Sequence, residues 1–480
     1  MDCLFQLKKG GFSLMHLNLA KNVSVLAHYF SQQQFCILVE YLSHQAHEIP
    51  QKIAGYPTLI TLADRVHSDE DLAPLEVAQR FPNHIQKMLH FSGKDRDIAD
   101  FEHFLHAAQH AGIQDVLLLT GDKLKKHANG EYGRHRTRYL ESVNAVMAAK
   151  EQGGFHIGVA FNPFKYTQAE RDAQYFKLHK KIKAGADFIV TQLGYDIDAL
   201  KQAQNFLNQH DYSQKLVACV MPLNLARAQY MVKHKVAGIV ITPHILHVLA
   251  QDQQAGLTDR AYQRCALQIL ICKHIGFAGI HLSACHQPKE QKRLAEYLQA
   301  YQHLALDELD ALWGSLWHMN TQQELKPKVE HKAHRPTVGQ LLKYHQLHFI
   351  HELFFESKLA KNVGKFIFKA DYWKHASAAK VLLNTEYVMK HHVVGCESCG
   401  QCRLGDTLYV CPETCPKGLA NGPCGGTSLD RCEFGDRECI HSVKARLAEA
   451  VGQSNILTQQ LIPTVALETR GTSSWKNWYD

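Results

Sequence analysis

The sequence predicts an α/β protein, a (β/α)8 TIM barrel followed by a small cysteine-rich metal-binding domain. Between about residues 35 and 300, short apolar runs alternate with longer amphipathic stretches. This alternation is typical of a parallel sheet, and about eight repeats fit a closed barrel. Eight of the 14 cysteines then crowd between Cys396 and Cys439. A doubly wound open sheet is the structural alternative, but no G-x-G-x-x-G follows the first strand, so a Rossmann site has no support.

The apolar runs are the predicted strands. Most are rich in Val, Ile and Leu and show little alternation, as expected for strands buried on both faces. They span residues 35–41, 57–62, 87–91, 115–119, 156–161, 188–192, 216–221, 238–241 and 279–282. Predicted helices lie between them, for example at 98–111, 136–152 and 169–184.

The length of 480 residues favours two folded units rather than one. We expect an N-terminal helical extension at 1–34 and a barrel at 35–305 that binds the cofactor and the substrate. A linker and helical segment follows at 306–385, because the charged stretch 324–335 breaks the pattern. The cysteine-rich metal-binding module and its tail would occupy 386–480.

Composition excludes several classes of protein. No apolar stretch reaches the roughly 18–20 residues of a membrane span. The net charge of +7 is mild and spread along the chain, so nucleic-acid binding has no support. No secretory signal is recognisable, and we expect a cytoplasmic protein without a membrane partner.

Polar side chains close several predicted strands, where the chemistry of such barrels lies. Glu40 ends the apolar run FCILVE, and burial there favours a general acid, although a solvent-facing or lysine-paired glutamate is an equal alternative. Asp122 follows Gly121 in LLLTGD, a pair that permits close backbone approach to a ligand but is also common in turns. Gln192 closes FIVTQ, where its side-chain amide can form two hydrogen bonds with a planar heterocycle. Alternatively, the amide forms its hydrogen bonds within the protein at the end of the strand.

Two further residues are weaker candidates. His90 closes KMLH, where a lone histidine is more often structural. Lys181 lies in LHKKIKAGAD, one helix ahead of the strand that ends in FIVTQ. It is placed to reach a phosphate, but a solvated helix face is its default interpretation.

The cysteine cluster indicates metal binding. Its spacing is C-x2-C-x2-C-x8-C-x3-C-x8-C-x7-C-x6-C, and Pro and Gly around it provide tight turns. Tetrahedral zinc and an iron–sulfur cluster are both compatible, whereas eight free structural thiols at this density are improbable. The predicted ligands are Cys396, Cys399, Cys402, Cys411, Cys415, Cys424, Cys432 and Cys439.

The barrel motifs together resemble the methylenetetrahydrofolate reductase family. They are VEYL, KMLHFSGKDRD, LLLTGD, GVAFNPF, AGADFIVTQLGYD and VMPL, and they cover roughly residues 35–300. The segment around 385–450 resembles a C-terminal module fused to, or partnered with, certain bacterial reductases of this family, where it serves subunit assembly or electron entry.

The resemblance implies a flavin-dependent reduction of 5,10-methylenetetrahydrofolate to 5-methyltetrahydrofolate in one-carbon metabolism, where it feeds methionine biosynthesis or a one-carbon catabolic route. FAD would be the cofactor, and NAD(P)H or a protein would donate electrons. By position, Glu40 matches the family's acid, Asp122 a carboxylate near flavin and pterin, and Gln192 a pterin-contacting glutamine. Flavin contacts would come from His90, Thr120, Gly121, Asp122, Phe161 and Lys181.

The chain departs from the family pattern in several places, which leaves two alternatives open. Thr120 replaces a frequent Arg, and the strand IHLSACHQ lacks the Tyr and Arg that some members place against the flavin. One alternative is a folate- or pterin-binding barrel that acts in methyl transfer with a partner. The other is a metal-module electron-transfer or assembly protein without reductase activity. A homo-oligomer is compatible with every alternative.

Overall fold

The computed structural model describes residues 24–41, 49–64, 71–123, 139–329 and 334–479. Eight parallel strands form a closed barrel with helices between them, which confirms the predicted (β/α)8 fold. Strand β1 pairs in parallel with the strand that follows it around the barrel and with the last strand, and this double pairing closes the sheet.

The strand bounds follow the apolar runs closely. A short strand, β2 (Lys52–Ile53), pairs antiparallel with the beginning of β3 and lies outside the barrel. The barrel strands are β1 Cys36–Tyr41, β3 Tyr56–Leu62, β4 Lys87–Ser92, β5 Asp115–Leu119, β6 His156–Phe161, β7 Phe188–Thr191, β8 Lys215–Val220 and β9 Gly279–Leu282.

One predicted strand is wrong. Residues 238–241 form a loop at the barrel mouth rather than a strand. Gly238 has φ +73°, and a Cβ there would lie 2.3 Å from the carbonyl oxygen of Gly425. The apolar run is therefore explained by packing at the mouth and not by membership of the sheet.

Apolar side chains fill the N-terminal, lower half of the barrel interior. Alternate residues of each strand point inward, and those in the lower half, such as Leu38, Met88 and Phe188, form one apolar cluster. A helix, α1 (Val25–Ser31), contributes Leu26 and Phe30 to the same cluster and covers the N-terminal end of the barrel. Ligands can therefore approach only the upper, C-terminal half of the lumen.

Helices with matched end signals surround the barrel. The helix Gln168–Ala184 begins at a capping box of Thr167 and Glu170 and ends where Gly185 adopts φ +111°. The remaining bounds around the barrel are α2 Pro74–Ala78, α3 Ile98–His110, α4 Ser142–Gln152, α5 Gln168–Ala184, α6 Ile197–Gln209, α7 Leu225–Lys233, α8 Pro243–Gln254, α9 Arg260–His274, α10 Pro288–Tyr301 and α11 Leu306–Leu316.

Helix α11 changes the expected domain limits. Its Trp313, with the following Trp317, is fully buried in the main core between strands and helices. This helix therefore belongs to the barrel and not to the segment 306–385 that was expected to be linker. The other domain limits stay predictions.

The C-terminal part is built from helices around an irregular cysteine-rich core. The helices are α12 Val338–His351, α13 Lys358–Phe368, α14 Ala376–Val394, α15 Ile440–Ala450, α16 Ser454–Gln459 and α17 Ser474–Tyr479. A π-helical turn, Glu352–Glu356, follows α12 directly. Within the described ranges, no helix has the length and hydropathy needed to cross a membrane.

Candidate functional site at the barrel mouth and the cysteine module

The mouth of the barrel contains Glu40. It shares the inward face of β1 with Leu38, is half-buried, and is in register with Thr61 of β3. Its carboxylate has no hydrogen-bond or ion-pair partner among the described residues. A half-buried carboxyl group without such a partner is open to contact with a ligand in the upper lumen.

His90 lies deeper in the same lumen. Its Nε2 is 2.5 Å from the Thr61 hydroxyl oxygen, and its ring centroid is 5.5 Å from that of His281 on β9. Burial lowers the pKa of His90 well below its ordinary value, and His281 lowers it further. His90 is therefore a neutral, hydrogen-bonded floor residue beneath the mouth.

A neighbouring polar group on β8 and β9 was not predicted from the sequence. Cys219 Sγ lies 3.7 Å from His281 Nδ1, and Ser283 Oγ lies 3.3 Å from the same nitrogen. His281 Nε2 is buried and has no partner in the described structure. Burial raises the pKa of Cys219 to about 12, and the nearby Glu40 carboxylate adds to this rise. The period-two placement of His281 and Ser283 in GIHLS was the available signal.

Gln192 follows β7 at the mouth, as predicted, but its amide is already engaged. Its Oε1 accepts a hydrogen bond from Leu193 N at 2.8 Å, and its Nε2 donates to Ala237 O at 3.2 Å. A contact with a pterin would need this side chain to exchange one of these backbone partners. The second bond also fixes the mouth loop that was predicted to be a strand.

The segment after β5 contacts the cysteine module. Thr120 Oγ1 bonds with Ser142, while Gly121 O accepts a hydrogen bond of 2.7 Å from Lys417 Nζ. Burial alone would lower the pKa of Lys417, but Cys424 and Glu433 raise it. The Asp122 carboxylate adds to the same rise. Asp122 therefore belongs electrostatically to the module and not to the group around Glu40.

Two of the predicted flavin contacts lie away from the open lumen of the barrel. Phe161 ends β6 with its ring on the outer side of the barrel, 5.1 Å from the ring of Tyr175 in α5. Lys181 is buried, and its Nζ donates to Ala160 O at 2.5 Å. Burial lowers the pKa of Lys181 to about 7, and Lys177 contributes to this shift.

The upper lumen and the expected phosphate anchor at Lys181 differ in accessibility. The upper lumen is accessible, because Glu40, Leu119, Ala160, Gln192 and Met221 are all partly exposed there. These positions fit a planar ring above the His90 floor. The phosphate anchor expected at Lys181 does not fit, because its Nζ is bound to backbone under packed protein.

Four cysteines form an outer cysteine group, defined as Cys396, Cys399, Cys402 and Cys411. They line one small cavity together with Lys390 and Arg403. Gly395, Ser398 and Gly400 all have positive φ, so the chain turns repeatedly and brings three thiols together. Burial raises the pKa of Cys396 to about 11. Lys390 Nζ, which lies 3.7 Å from Cys402 Sγ, places a positive charge beside the thiols.

The other four form an inner cysteine group, defined as Cys415, Cys424, Cys432 and Cys439. After burial, the proximity of Cys415 contributes to the raised pKa of each of the other three. Lys165 of the barrel lies against this group, and its Nζ donates to Gly425 O at 3.0 Å and also to Thr427 O. Lys417 and Glu433 form an ion pair of 2.5 Å between the group and the barrel rim.

The spacing of the thiols can be compared with that of a metal site. In tetrahedral zinc sites the Zn–S bond is about 2.3 Å, which sets sulfurs roughly 3.8 Å apart. Within the described residues, a set of three ligand atoms within 4.8 Å occurs at Asp172, His334 and Glu449, and at no cysteine group. Four thiols around one cavity, as in the outer cysteine group, are a ligand set for either a zinc ion or an iron–sulfur cluster.

Buried contacts fix the module to the barrel. Glu141 Oε2 accepts hydrogen bonds of 3.1 Å from the backbone of Ala420 and Asn421, and Oε1 is 2.8 Å from Lys177 Nζ. Burial would raise the pKa of Glu141, but Lys177 and these donors lower it below its ordinary value. Asn162 Nδ2 donates both to Gly238 O, at 3.0 Å, and to Gly425 O, at 2.9 Å.

Comparison with known proteins assigns the fold and the module to one family. The family model described as "Methylenetetrahydrofolate reductase" matches residues 46–299, more than half of the chain. This chain belongs to the methylenetetrahydrofolate reductase family. A second model, described as "Methylene-tetrahydrofolate reductase C terminal", matches residues 375–467 and thus contains both cysteine groups. Both predicted resemblances are confirmed.

Curated relatives of this family are similar over part of their length. "Methylenetetrahydrofolate reductase (NADH) 1" of Arabidopsis thaliana is 27% identical over 229 residues, 43% of this chain and 37% of the relative. The protein of the same name from Zea mays is 29% identical over 166 residues, 31% and 27% of the two chains. "Methylenetetrahydrofolate reductase 2" of Saccharomyces cerevisiae is 30% identical over 129 residues, 26% and 20%. The matched part of this chain thus spans between about a fifth and two fifths of the length of these relatives.

Proposed function

We propose that this protein is an oxidoreductase that reduces 5,10-methylenetetrahydrofolate to 5-methyltetrahydrofolate. The observation that carries the proposal is the position of Glu40, a half-buried carboxyl group at the mouth of a family barrel with no hydrogen-bond or ion-pair partner in the described part of the chain. The family match and the named reductases among the relatives support the same substrate class. The reaction belongs to one-carbon metabolism and methionine biosynthesis, and we propose that it takes place in the cytoplasm.

In this proposal, Glu40 supplies the proton that the bridge nitrogen of the folate takes up as its ring opens. Gln192 holds the pterin edge by exchanging its bond to Ala237 O for a bond to the substrate. The His90–Thr61 pair and the apolar lower lumen close the floor of the site, so that water reaches the reacting carbon only from the mouth. Asp122 acts from the rim, where it is coupled to Lys417.

The proposed cofactor is a flavin, with FAD as the family's expected form. Bound at the mouth, a flavin supplies the hydride that reduces the substrate. His90, Thr120 and Gly121 would border its ring, whereas Lys181 and Phe161 take no part. We propose NAD(P)H or a protein as the electron donor. Two relatives have "NADH" in their names, which describes those proteins and not this chain.

We further propose that each cysteine group holds an iron–sulfur cluster, and that zinc is the alternative. A cluster supplies one-electron transfer at a potential set by nearby charge. The chain holds it through four thiols, and Lys390 beside the outer group and Lys165 beside the inner group offset the negative charge of metal-bound thiolates.

A second candidate is a folate- or pterin-binding barrel that passes a methyl group to or from a partner. The burial of Lys181 favours it, because the anchor expected for the distal part of FAD is not accessible. In this alternative, Glu40 and Gln192 would bind the pterin without hydride transfer.

The deciding experiment is a visible spectrum of anaerobically purified protein, with iron and zinc analysis of the same sample. Flavin bands that bleach with dithionite and return on addition of methylenetetrahydrofolate are the expected result. Protein that stays colourless after reconstitution with FAD or FMN, and still binds a folate, would replace the reductase by the pterin-binding alternative. Zinc without iron would contradict the cluster assignment alone.

A further inference from the structure

A cluster of three side chains outside the barrel mouth and the cysteine groups contains groups that bind metal ions in proteins. It consists of Asp172 on α5, Glu449 on α15 and His334, which lies in the charged stretch between the barrel and the module. The ligand atoms of the three side chains all lie within 4.8 Å of one another. His334 Nε2 is 2.5 Å from Glu449 Oε2 and 3.8 Å from Asp172 Oδ2. We call this set the Asp–His–Glu cluster.

Two packed helices hold the carboxylates of the Asp–His–Glu cluster. Ala169 and Ala173 of α5 form a small buried cluster with Ala445 of α15, where the short side chains let the helices approach closely. Asp172 directly precedes Ala173 in the chain, and Glu449 lies four residues after Ala445, on the same face of its helix. The two carboxylates are therefore positioned by the contact between barrel and module and not by a loop.

The close contacts of His334 do not have the geometry of a hydrogen bond. Its Nε2 atom is buried and forms no hydrogen bond in the described part of the chain, although the Glu449 oxygen is only 2.5 Å away. At this distance a hydrogen bond is absent only when the oxygen lies off the direction in which the ring nitrogen points. The imidazole nitrogen and this oxygen therefore lie side by side, as two ligand atoms around a shared ion do, and not head to head.

The distances within the Asp–His–Glu cluster are close to those around a bound metal ion. Bonds from zinc to imidazole nitrogen and carboxylate oxygen are about 2.0–2.2 Å long, so the ligand atoms around one ion lie roughly 3.0–4.2 Å apart. The contacts of 2.5 and 3.8 Å and the limit of 4.8 Å bracket this range. Shifts of about 1 Å or less, which rotation of the carboxylate side chains provides, are sufficient to complete the site.

The Asp–His–Glu cluster is open to solvent on one side. The side chain of Glu449 is 56% exposed, whereas those of His334 and Asp172 are 17% and 34% exposed. An ion can therefore enter from solvent and keep water in its remaining coordination positions, as ions with three protein ligands do. One imidazole with two carboxylates favours ions such as Zn²⁺, Mn²⁺ or Fe²⁺, because Mg²⁺ and Ca²⁺ prefer oxygen ligands.

We propose that Asp172, His334 and Glu449 bind a divalent transition-metal ion, which joins the barrel, the charged stretch 324–335 and the module at one point. The alternative is an ion pair between His334 and Glu449. A histidine carries at most one positive charge, whereas a divalent ion balances the charge of both carboxylates. The proposal does not depend on the reaction proposed above or on the metal of the cysteine groups.

Titration of the purified full chain with Mn²⁺, with the metal of its cysteine groups retained, tests the proposal. Mn²⁺ is the probe because it prefers oxygen ligands to thiolates, and EPR spectroscopy measures the free ion. We expect one saturable site per chain. His334→Ala and Asp172→Asn should each weaken it by at least about 10-fold, since losing even an outer partner of a ligand costs about 10–100-fold. His247→Ala, at an exposed histidine of α8, is the matched control and should leave the affinity unchanged.

Limited digestion with trypsin gives a second measurement that does not use activity. Lys332 and Arg335 flank His334 in the sequence, so Mn²⁺ should slow cleavage there in the wild type and not in His334→Ala. The thermal midpoint without added Mn²⁺ shows whether each variant folds, and Glu449→Gln, at the most exposed of the three side chains, replaces a variant that does not. A wild-type chain without saturable Mn²⁺ binding, or binding and protection that survive these substitutions, would overturn the proposal and leave an ion pair only.

Discussion

The outer and inner cysteine groups are neighbours in sequence but have different surroundings. The outer group lines a cavity beneath α14, whose other side is exposed. The inner group lies against the barrel rim, between Lys165 of the barrel and the Lys417–Glu433 pair. Groups of four thiols therefore occupy two different positions in the protein. The inner group lies where the module meets the barrel, whereas the outer group lies beneath a helix whose opposite side is exposed.

Removing one thiol should affect metal content and attachment of the module differently in the two groups, and this is the largest effect we expect. Thiolate–metal binding contributes about 10–16 kcal/mol in small zinc domains. Cys424→Ser should therefore release the module, and Cys399→Ser should remove only the metal of the outer group. Iron content and limited proteolysis measure both.

Cys272→Ala is the control for losing a buried thiol elsewhere, because Cys272 lies in α9, within the barrel. It should leave the iron content unchanged. If Cys399→Ser and Cys424→Ser each lose all of the iron and the same protection from proteolysis, the two groups form one site and the comparison fails.

A substitution at the barrel mouth should slow one half-reaction of the enzyme and leave the other nearly unchanged. Glu40→Gln should slow reoxidation of the enzyme by methylenetetrahydrofolate by about 10²–10⁴-fold, since a general acid is removed. Its reduction by the electron donor should be nearly intact, and stopped-flow spectroscopy follows the two half-reactions separately. Glu296→Gln, an exposed change on α10, is the matched control. Equal loss of both half-reactions would remove the acid role from Glu40.

A smaller effect is expected at the contact that fixes the module to the barrel. Glu141→Gln leaves the buried Lys177 without its counter-charge, which should lower the free energy of unfolding by about 3–5 kcal/mol. Asp310→Asn, which breaks the partly exposed pair with Lys201, should cost no more than about 1 kcal/mol. Urea denaturation followed by tryptophan fluorescence measures both variants.

The pH dependence of Glu141 sharpens the same test. Its pKa in the folded protein lies below the ordinary value of 4.5, so the ionised carboxylate stabilises the fold at neutral pH. That stabilisation should disappear as the pH falls below about 4.5, through the folded pKa. The wild type should therefore lose more stability on acidification than Glu141→Gln. Parallel acid curves for the two proteins would show that Glu141 contributes no charge-dependent stabilisation.

The sequence was sufficient for the barrel because buried parallel strands are continuous apolar runs. It failed at residues 238–241, where the apolar run instead supports a loop held by Gln192 and Asn162. Phe161 was misplaced because adjacent strand residues face opposite sides, and a position one residue away changes the face. Cysteine density predicted metal, but its division into two groups depends on contacts with the barrel that spacing alone does not encode.

The two hydrogen bonds of Asn162 have a thermodynamic consequence. One amide group holds both the mouth loop, through Gly238 O, and the inner-group segment, through Gly425 O. A ligand that orders the loop and a metal that orders the segment therefore act on a shared element. By linkage, any factor by which the metal tightens ligand binding at the mouth is the factor by which that ligand tightens retention of the metal. Substrate supply would then set how firmly the module keeps its metal.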